Sequence, residues 1–512
     1  MRLRLDRVKL LGVGFFALST GVLTGVTAPA AASDTAAERG AYTATIAGCT
    51  QCHTPAGGAA FSGGTVLDTP FGKLAVPNIT QDKDTGIGDW TKADFEAALR
   101  QGLNKDGQPL YPAMPYLHYT EITDGDIDDL WAYMETIPAV SNAVEVNRLP
   151  FPFDVRASLY GWQALYFTEG RFTPHPDKSA AWNRGAYMIE ALAHCGACHT
   201  PRDAMGGPLK DQAMQGAAIE EWYAPDISGG PNSVIKDWSM DRLVGFLSGD
   251  DGLNHVAVGS MALVVDDLSK IKREDVVAVA TYLKDQPSDA DQEARAPQVA
   301  VSAAERESWT ALFNDKCSSC HQTNGEGVPG LAASLVGSGA VLAQSPHNVI
   351  SVLLEGIAPS EDFGVMPSFR ELSNREIAQL ANHVRISWGN DAPANANPMM
   401  VQGLRQVTET APGVAEATSC PNVPAARLND EIRAEIAKLA AAHTINPADV
   451  ETLVGHYAAL NPDVSMSTRV GDLSGTYCRD VAASGASKTT VVSRQVQFMN
   501  SVVAASARSA AQ

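Results

Sequence analysis

The sequence predicts an all-α chain: three tandem helical units followed by a small helical C-terminal extension. Three observations carry that prediction. The motif Cys-x-x-Cys-His occurs three times, opening at Cys49, Cys195 and Cys317. Strings around the first motif return around the second at a nearly constant offset, the mark of a duplicated domain. The segments closing each unit space their apolar residues at the helical period.

The repeat is explicit. Arg39-Gly40-Ala41-Tyr42 returns as Arg184-Gly185-Ala186-Tyr187, and Cys49-Thr50-Gln51-Cys52-His53-Thr54-Pro55 as Cys195-Gly196-Ala197-Cys198-His199-Thr200-Pro201. Pro77-Asn78-Ile79-Thr80 is echoed by Pro225-Asp226-Ile227-Ser228, Trp90 by Trp238, and Met114 by Met261. The offsets are 145, 146, 148, 148 and 147. A third, more diverged copy holds Cys317-Ser318-Ser319-Cys320-His321 and Met366-Pro367. Its histidine-to-methionine separation is 45 residues, against 61 and 62 in the first two, so it lacks their long insertion.

Each unit reads in the same order. A helical pattern leads into the motif and a long Gly- and Pro-rich loop follows it. A short helix comes next, such as Lys92 to Arg100 with Thr91 as its N-cap, and then a methionine in a turn. Closing helices are expected over Asp124 to Thr136, Lys272 to Lys284 and Ser373 to Ser387. In the last of these Ile377, Leu380, Ala381 and Val384 share a face. Proline and charge mark linkers near Arg171 to Ser179 and Pro287 to Pro297. Residues 391–426, rich in Ala, Pro and Asn, read as a linker. Three amphipathic helices follow, marked by Leu428, Ile432, Ile436 and Leu439, by Val450, Leu453, Val454 and Tyr457, and by Val492, Val496, Met499 and Val503. The expected domains are 33–165, 175–290 and 300–392, then an extension of unassigned role over 393–512.

The N-terminus reads as a cleavable export signal over residues 1–32. Arg2, Arg4, Arg7 and Lys9 precede an apolar run from Leu10 to Val26, and Ala30-Ala31-Ala32 supplies a small-residue cleavage site. No later segment offers the ~18 apolar residues of a membrane span. The formal net charge is -20, and loss of the basic leader makes it -23. Such a surface repels phosphate backbones, which argues against a nucleic-acid partner. Of eight cysteines, six lie in the motifs. Cys420 and Cys478 stand alone, and in an exported protein they are expected to form a disulfide.

The chemistry of the motif is specific. In Cys-x-x-Cys-His the two thiols add to the two vinyl groups of one haem, and the histidine that follows supplies an axial nitrogen to its iron. Cys49 and Cys52, Cys195 and Cys198, and Cys317 and Cys320 are therefore the expected covalent attachment points of three haem c groups. His53, His199 and His321 are the expected axial ligands. A zinc site needs two more ligands at matching spacing in each unit, and none recur. A thioredoxin-like motif needs an αβ setting that is absent. Met114, Met261 and Met366 are the candidates for the sixth ligand, because a thioether stabilises ferrous iron and suits electron transfer. His118, His255 and His347 compete but do not recur in register, and they read as surface or loop residues. Trp90 and Trp238 are expected to pack in the core, and Arg202 to face a haem propionate or water. No G-x-G-x-x-G opening a βαβ unit, no H-E-x-x-H and no nucleophile elbow is present.

These residues resemble a known family. Arg39-Gly40-Ala41-Tyr42, Phe71-Gly72, Asn78-Ile79-Thr80, Asp84-Thr85-Gly86-Ile87-Gly88-Asp89-Trp90 and Leu110-Tyr111-Pro112-Ala113-Met114-Pro115-Tyr116 form one group. Trp182-Asn183-Arg184-Gly185-Ala186-Tyr187 and His194-Cys195-Gly196-Ala197-Cys198-His199-Thr200-Pro201-Arg202 continue it. Over about residues 39 to 390 the chain resembles the tri-haem cytochrome c subunit of bacterial membrane-bound dehydrogenases, which serves alcohol, gluconate, sorbitol, fructose and aldehyde dehydrogenases. The resemblance implies a non-catalytic electron-transfer subunit. A partner dehydrogenase bearing flavin, pyrroloquinoline quinone or a molybdenum centre would oxidise a CH–OH or aldehyde donor. This chain would pass the electrons to ubiquinone, peripherally on the periplasmic face of the inner membrane. The alternative is a free-standing multihaem carrier feeding a terminal oxidase. Two features depart from the family: about 120 residues follow from Asp391 onward, and the third unit is shorter than the others.

Overall fold

The fold was obtained as a computed structural model. The described residues are 34–145, 147–250, 255–286, 300–327, 332–357, 366–408, 427–442, 444–462, 464, 466–486 and 488–510. The expected leader, the expected linker at Pro287 to Pro297 and Cys420 all lie outside them.

The first repeat opens with α1 (Ala36–Ile46), and its motif forms the short helix α2 (Cys49–His53). A hairpin follows, β1 (Val66–Thr69) with β2 (Gly72–Ala75), in antiparallel register Val66 to Ala75. Then come α3 (Lys92–Gln101), α4 (Tyr116–Tyr119), α5 (Asp124–Met134) and α6 (Ser158–Tyr166). Thr91 caps α3 as expected: its hydroxyl accepts the Asp94 N–H at 3.2 Å, and the Asp94 carboxylate accepts the Thr91 N–H at 2.8 Å.

The second repeat holds α7 (Ala180–Tyr187), α8 (Gly196–His199), the hairpin β3 (Ala217–Ile219) with β4 (Trp222–Ala224), α9 (Met240–Leu247), α10 (Ser260–Ser269) and α11 (Arg273–Lys284). Helix α7 runs on into a π-helical turn, Met188–Leu192. Between the Arg-Gly-Ala-Tyr string and the motif the repeat offset grows from 145 to 146. A π-turn is how a helix absorbs one inserted residue without losing its direction.

The third repeat holds α12 (Ala303–Lys316), α13 (Ser318–His321), α14 (Gly339–Leu342), α15 (His347–Glu355), α16 (Asn374–Ile386) and α17 (Pro398–Thr408). Capping boxes start α12 at Ser302 with Glu305 and α16 at Ser373 with Glu376. The extension is a helical bundle of α18 (Asp430–Ala441), α19 (Pro447–Leu460), α20 (Met466–Ala483) and α21 (Lys488–Ala510).

The repeated glycine explains how the leading and closing helices meet. A Cβ on Gly40 would stand 1.9 Å from the Asp129 carbonyl oxygen, and one on Gly185 would stand 2.0 Å from that of Ala278. Helix α1 therefore crosses α5, and α7 crosses α11, at backbone contact that no other residue permits. Helices α12 and α16 contain no glycine. The first two repeats share one core, running from Ala44, Ile127 and Leu130 to Tyr187, Val276 and Val279. The third repeat has its own, around Phe313, Ile350, Leu380 and Leu404, and the bundle another, around Ile436, Leu453, Tyr477 and Phe498.

Several expectations are corrected. The chain is helix-rich but not purely α, because both long loops after the first two motifs carry a two-stranded hairpin. Those strands are three or four residues long and partly exposed, too short to show alternation. The stretch read as linker contains α17, whose Val401 and Leu404 are buried in the third core. The segment read as a linker from Arg171 has no helix or strand through His175, and its Phe172 N–H donates to the Glu121 carbonyl at 3.1 Å. Of the expected methionine turns, Met114 lies in one, but Met261 is the second residue of α10, and Met366 pairs with Ile357 in an isolated β-bridge. Cys478 is disulfide-bonded.

Candidate metal centres

The three motif histidines are held alike. His53 Nδ1 lies 2.8 Å from the Pro77 carbonyl oxygen, His199 Nδ1 2.7 Å from that of Pro225, and His321 Nδ1 3.0 Å from that of Ala333. A carbonyl only accepts, so in each case Nδ1 carries the proton and Nε2 keeps its lone pair for a metal. Burial pushes all three imidazoles below their ordinary value, against the opposing pull of that carbonyl bond, and they are neutral.

The backbone on the other side of each histidine is also repeated. The histidine carbonyl accepts an N–H from Gly63 at 2.8 Å, from Gly216 at 2.8 Å and from Gly327 at 3.0 Å. All three glycines have positive φ, at 69°, 89° and 70°. Each presses on the segment that carries the accepting carbonyl. A Cβ on Gly63 would meet Asn78 N at 2.4 Å, one on Gly216 Asp226 N at 2.9 Å, and one on Gly327 the Ala332 carbonyl oxygen at 2.2 Å. The loop after each motif is thus a clamp that grips the histidine at both ends.

The repeated Pro-Asn-Ile-Thr string serves this clamp. Asn78 Oδ1 accepts the Thr80 N–H at 2.9 Å, and Asp226 Oδ1 accepts the Ser228 N–H at 2.8 Å. The resulting Asx turns fix the proline carbonyls that meet the histidines.

Of the six motif thiols Cys317 is buried, Cys52 is exposed and the others are half-buried. Burial, reinforced by the neighbouring motif thiol, pushes Cys49, Cys195 and Cys317 up to about 12, and Cys52 and Cys198 are raised as well. That is opposite to a reactive thiolate, which needs an electropositive, depressed-pKa setting. Cys198 contributes to the raised value of Cys52, so the first two motifs are neighbours in space. Their first cysteines, Cys49 and Cys195, pack against one shared core.

Of the methionine candidates, Met366 shares a cavity with its motif, and Met114 and Met261 pack against the core that the first two motifs share. Cys317, His321 and Met366 line one apolar cavity with Phe313, Leu353, Leu380 and Val384. Met114 and Met261 pack against the same core as Cys49 and Cys195. At the third motif a thiol, an imidazole with free Nε2, an apolar wall and a thioether line one cavity, a donor set that fits haem c.

The competing histidines are engaged elsewhere. His118 is not a surface residue: it sits in α4 between repeats, with Nδ1 2.8 Å from the Glu190 carbonyl oxygen and its ring 3.2 Å from where a Gly196 Cβ would be. His255 contacts Arg242 and the Val336 carbonyl, and His347, which opens α15, contacts Ser345. Trp238 is core, with Arg242 stacked 4.2 Å from its ring, and Trp90 packs beside Phe61 and Ile87. Arg202 is exposed. Its guanidinium donates to the carbonyls of Gly206 at 2.8 Å and Ala197 at 3.0 Å, closing the loop back onto its own motif.

The arrangement is that of a multi-site c-type cytochrome. Residues 37–138 match the cytochrome c family, and residues 304–384 match the family described as cytochrome c oxidase, cbb3-type, subunit III. The chain is 34% identical over 409 residues to the fructose dehydrogenase cytochrome subunit of Gluconobacter japonicus, covering 74% of this chain and 84% of that one. It is 33% identical over 402 residues to the gluconate 2-dehydrogenase cytochrome c subunit of Pantoea cypripedii, covering 73% and 90%. It is 38% identical over 384 residues to a nicotinate dehydrogenase subunit of Pseudomonas putida, a match that covers 72% of this chain but spans only 32% of that longer protein. The chain belongs to the family of cytochrome c subunits of bacterial dehydrogenases, which transfer electrons and leave catalysis to another subunit.

Proposed function

We propose that this chain is a three-haem relay at the periplasmic face of the inner membrane, taking electrons from a catalytic dehydrogenase subunit and delivering them to ubiquinone. The observation that carries the reading is the same histidine clamp at all three motifs, including the shorter third one.

Cys49 with Cys52, Cys195 with Cys198 and Cys317 with Cys320 supply the thioether sulfurs. His53, His199 and His321 would offer Nε2 to the iron, and Met114, Met261 and Met366 would offer it a thioether. A haem held this way supplies one-electron chemistry between ferric and ferrous iron. The carbonyls of Pro77, Pro225 and Ala333 keep each imidazole in the metal-binding tautomer and orientation. The apolar side chains around the third site keep water away. An iron held by both side chains would have no position for a substrate, so substrate chemistry is assigned to the partner.

The partner's donor is proposed to be an alcohol, polyol, sugar acid or aldehyde, from the names of the fructose and gluconate relatives. The similarity to the nicotinate dehydrogenase protein favours a second reading of the partner, one acting on a nicotinate-like heteroaromatic acid. Peripheral attachment accords with the finding that no helix among the described residues is long and apolar enough to cross a membrane. Purification of the native complex, followed by substrate-dependent reduction of a ubiquinone analogue, tests the proposal. It fails if no dehydrogenase subunit copurifies, or if the cytochrome is reoxidised only by an oxidase.

A further inference from the structure

The third site differs from the first in what stands beside its second motif cysteine. Cys52 is exposed, whereas Cys320, half-buried, packs against the apolar core of the α18–α21 bundle. Ala332 packs against the same core. That core is deep: Leu473, Tyr477, Phe498 and Val502 are all fully buried. Ala332 directly precedes Ala333, whose carbonyl accepts from His321, and Gly327 is pressed onto the same two residues. The bundle therefore bears on the segment that orients the third histidine. Val256 and Val258, from the second repeat, also line the cavity of the third site.

We propose that the C-terminal bundle is a cover and positioning element for the third haem site. It shields the Cys320 edge from water and braces the Ala332–Ala333 segment against His321. The inference rests on the three-haem reading above. Among the described motif cysteines only Cys320 touches the bundle core, so the effect is confined to one site. Ferric haem carries one more positive charge than ferrous haem. An apolar cover disfavours the charged state and raises the potential, and hydration lowers it.

The test compares three chains: full length, full length with Phe498→Ala, and a chain ending at Thr408. Phe498 stacks on Tyr477 at 4.1 Å inside the bundle, so its loss loosens the cover without touching the site. Haem content is counted by pyridine haemochrome, and the midpoint potentials are resolved by redox titration. The expected result is three haems in the full-length chain, with one midpoint lowered in both variants and two unchanged. If the truncated chain does not fold, Phe498→Ala in the full-length protein decides. Three haems with all midpoints unchanged overturns the cover and leaves the bundle an appendage or a docking module. Two haems in the full-length chain overturns the three-haem reading beneath it.

Discussion

The Tyr42 hydroxyl donates a 2.6 Å hydrogen bond to the carboxylate of Asp275, 233 residues further along the chain, and accepts the Lys272 N–H at 3.1 Å. The relation is reciprocal. Tyr187, the repeat-equivalent of Tyr42, donates to Asp126 at 2.5 Å and accepts the Thr123 N–H at 3.1 Å. Each repeat thus reaches with its tyrosine to the start of the other's closing helix, in a pseudo-two-fold exchange. Arginine completes one side: Arg184 donates twice to Asp275 at 2.8 Å. The Arg-Gly-Ala-Tyr string is repeated because its glycine makes the helix crossing within each repeat and its tyrosine makes the link between them.

That exchange predicts a pH dependence. Burial would raise the Asp275 carboxyl, but hydrogen bonds from Arg184 and Tyr42 outweigh it and hold the group below its ordinary value. The unfolded value is about 3.9. A carboxyl depressed on folding stabilises in full above that value, and its contribution is lost as pH falls through the folded value. Asp275→Asn should be less stable than the natural protein at pH 7 by about 1–3 kcal/mol. The gap should narrow below about pH 4. Urea titrations at pH 7 and pH 3 measure it, and a constant gap contradicts the assignment.

Tyr42→Phe and Tyr187→Phe each remove one donor from a partly buried carboxylate. Each should cost about 1 kcal/mol, visible as a lower urea midpoint. Haem spectra should not change, because neither tyrosine belongs to the histidine clamps.

The helix crossings predict opposite signs for one substitution. Gly40→Ala and Gly185→Ala force a Cβ into a carbonyl and should destabilise by about 1–3 kcal/mol. Gly455→Ala, on the exposed face of α19 with nothing near it, should stabilise by about 0.5–1 kcal/mol. Thermal melts of the three variants decide it.

The clamps predict site-by-site effects. Gly63→Ala, Gly216→Ala and Gly327→Ala should each disturb the axial histidine of one haem and lower the yield of that haem alone. Met114→Ala, Met261→Ala and Met366→Ala should each lower one midpoint potential by removing a thioether ligand. A methionine variant with unchanged reduced spectrum and potentials removes that residue from the ligand set.

Much of this was legible in the sequence because it lies in side-chain identity and spacing. The three motifs, the repeat, the Thr91 cap and the helices marked by Ile436 and Leu453 all follow from patterns the structure reproduces. The clamps were not legible, because their acceptors are main-chain carbonyls of Pro77, Pro225 and Ala333, and backbone carries no residue signature. The repeated Pro-Asn and Pro-Asp pairs and the glycines after each motif were the only hint. Helix α20 escaped notice for another reason. Its Asp472, Ser474 and Thr476 are buried polar residues that break the apolar period. Asp472 repays its burial by accepting from Tyr457 at 2.5 Å and Arg427 at 3.0 Å. Helix α17 was hidden by the Ala, Pro and Asn that flank it.

The central claim is that the third motif, though shorter and diverged, is a haem site of the same kind as the first two. Intact mass of the protein exported by a host with a c-type maturation system tests it most directly, read under denaturing and reducing conditions. Three covalent haem additions are expected on every chain. Two additions, with Cys317 and Cys320 recovered as free thiols, would contradict it.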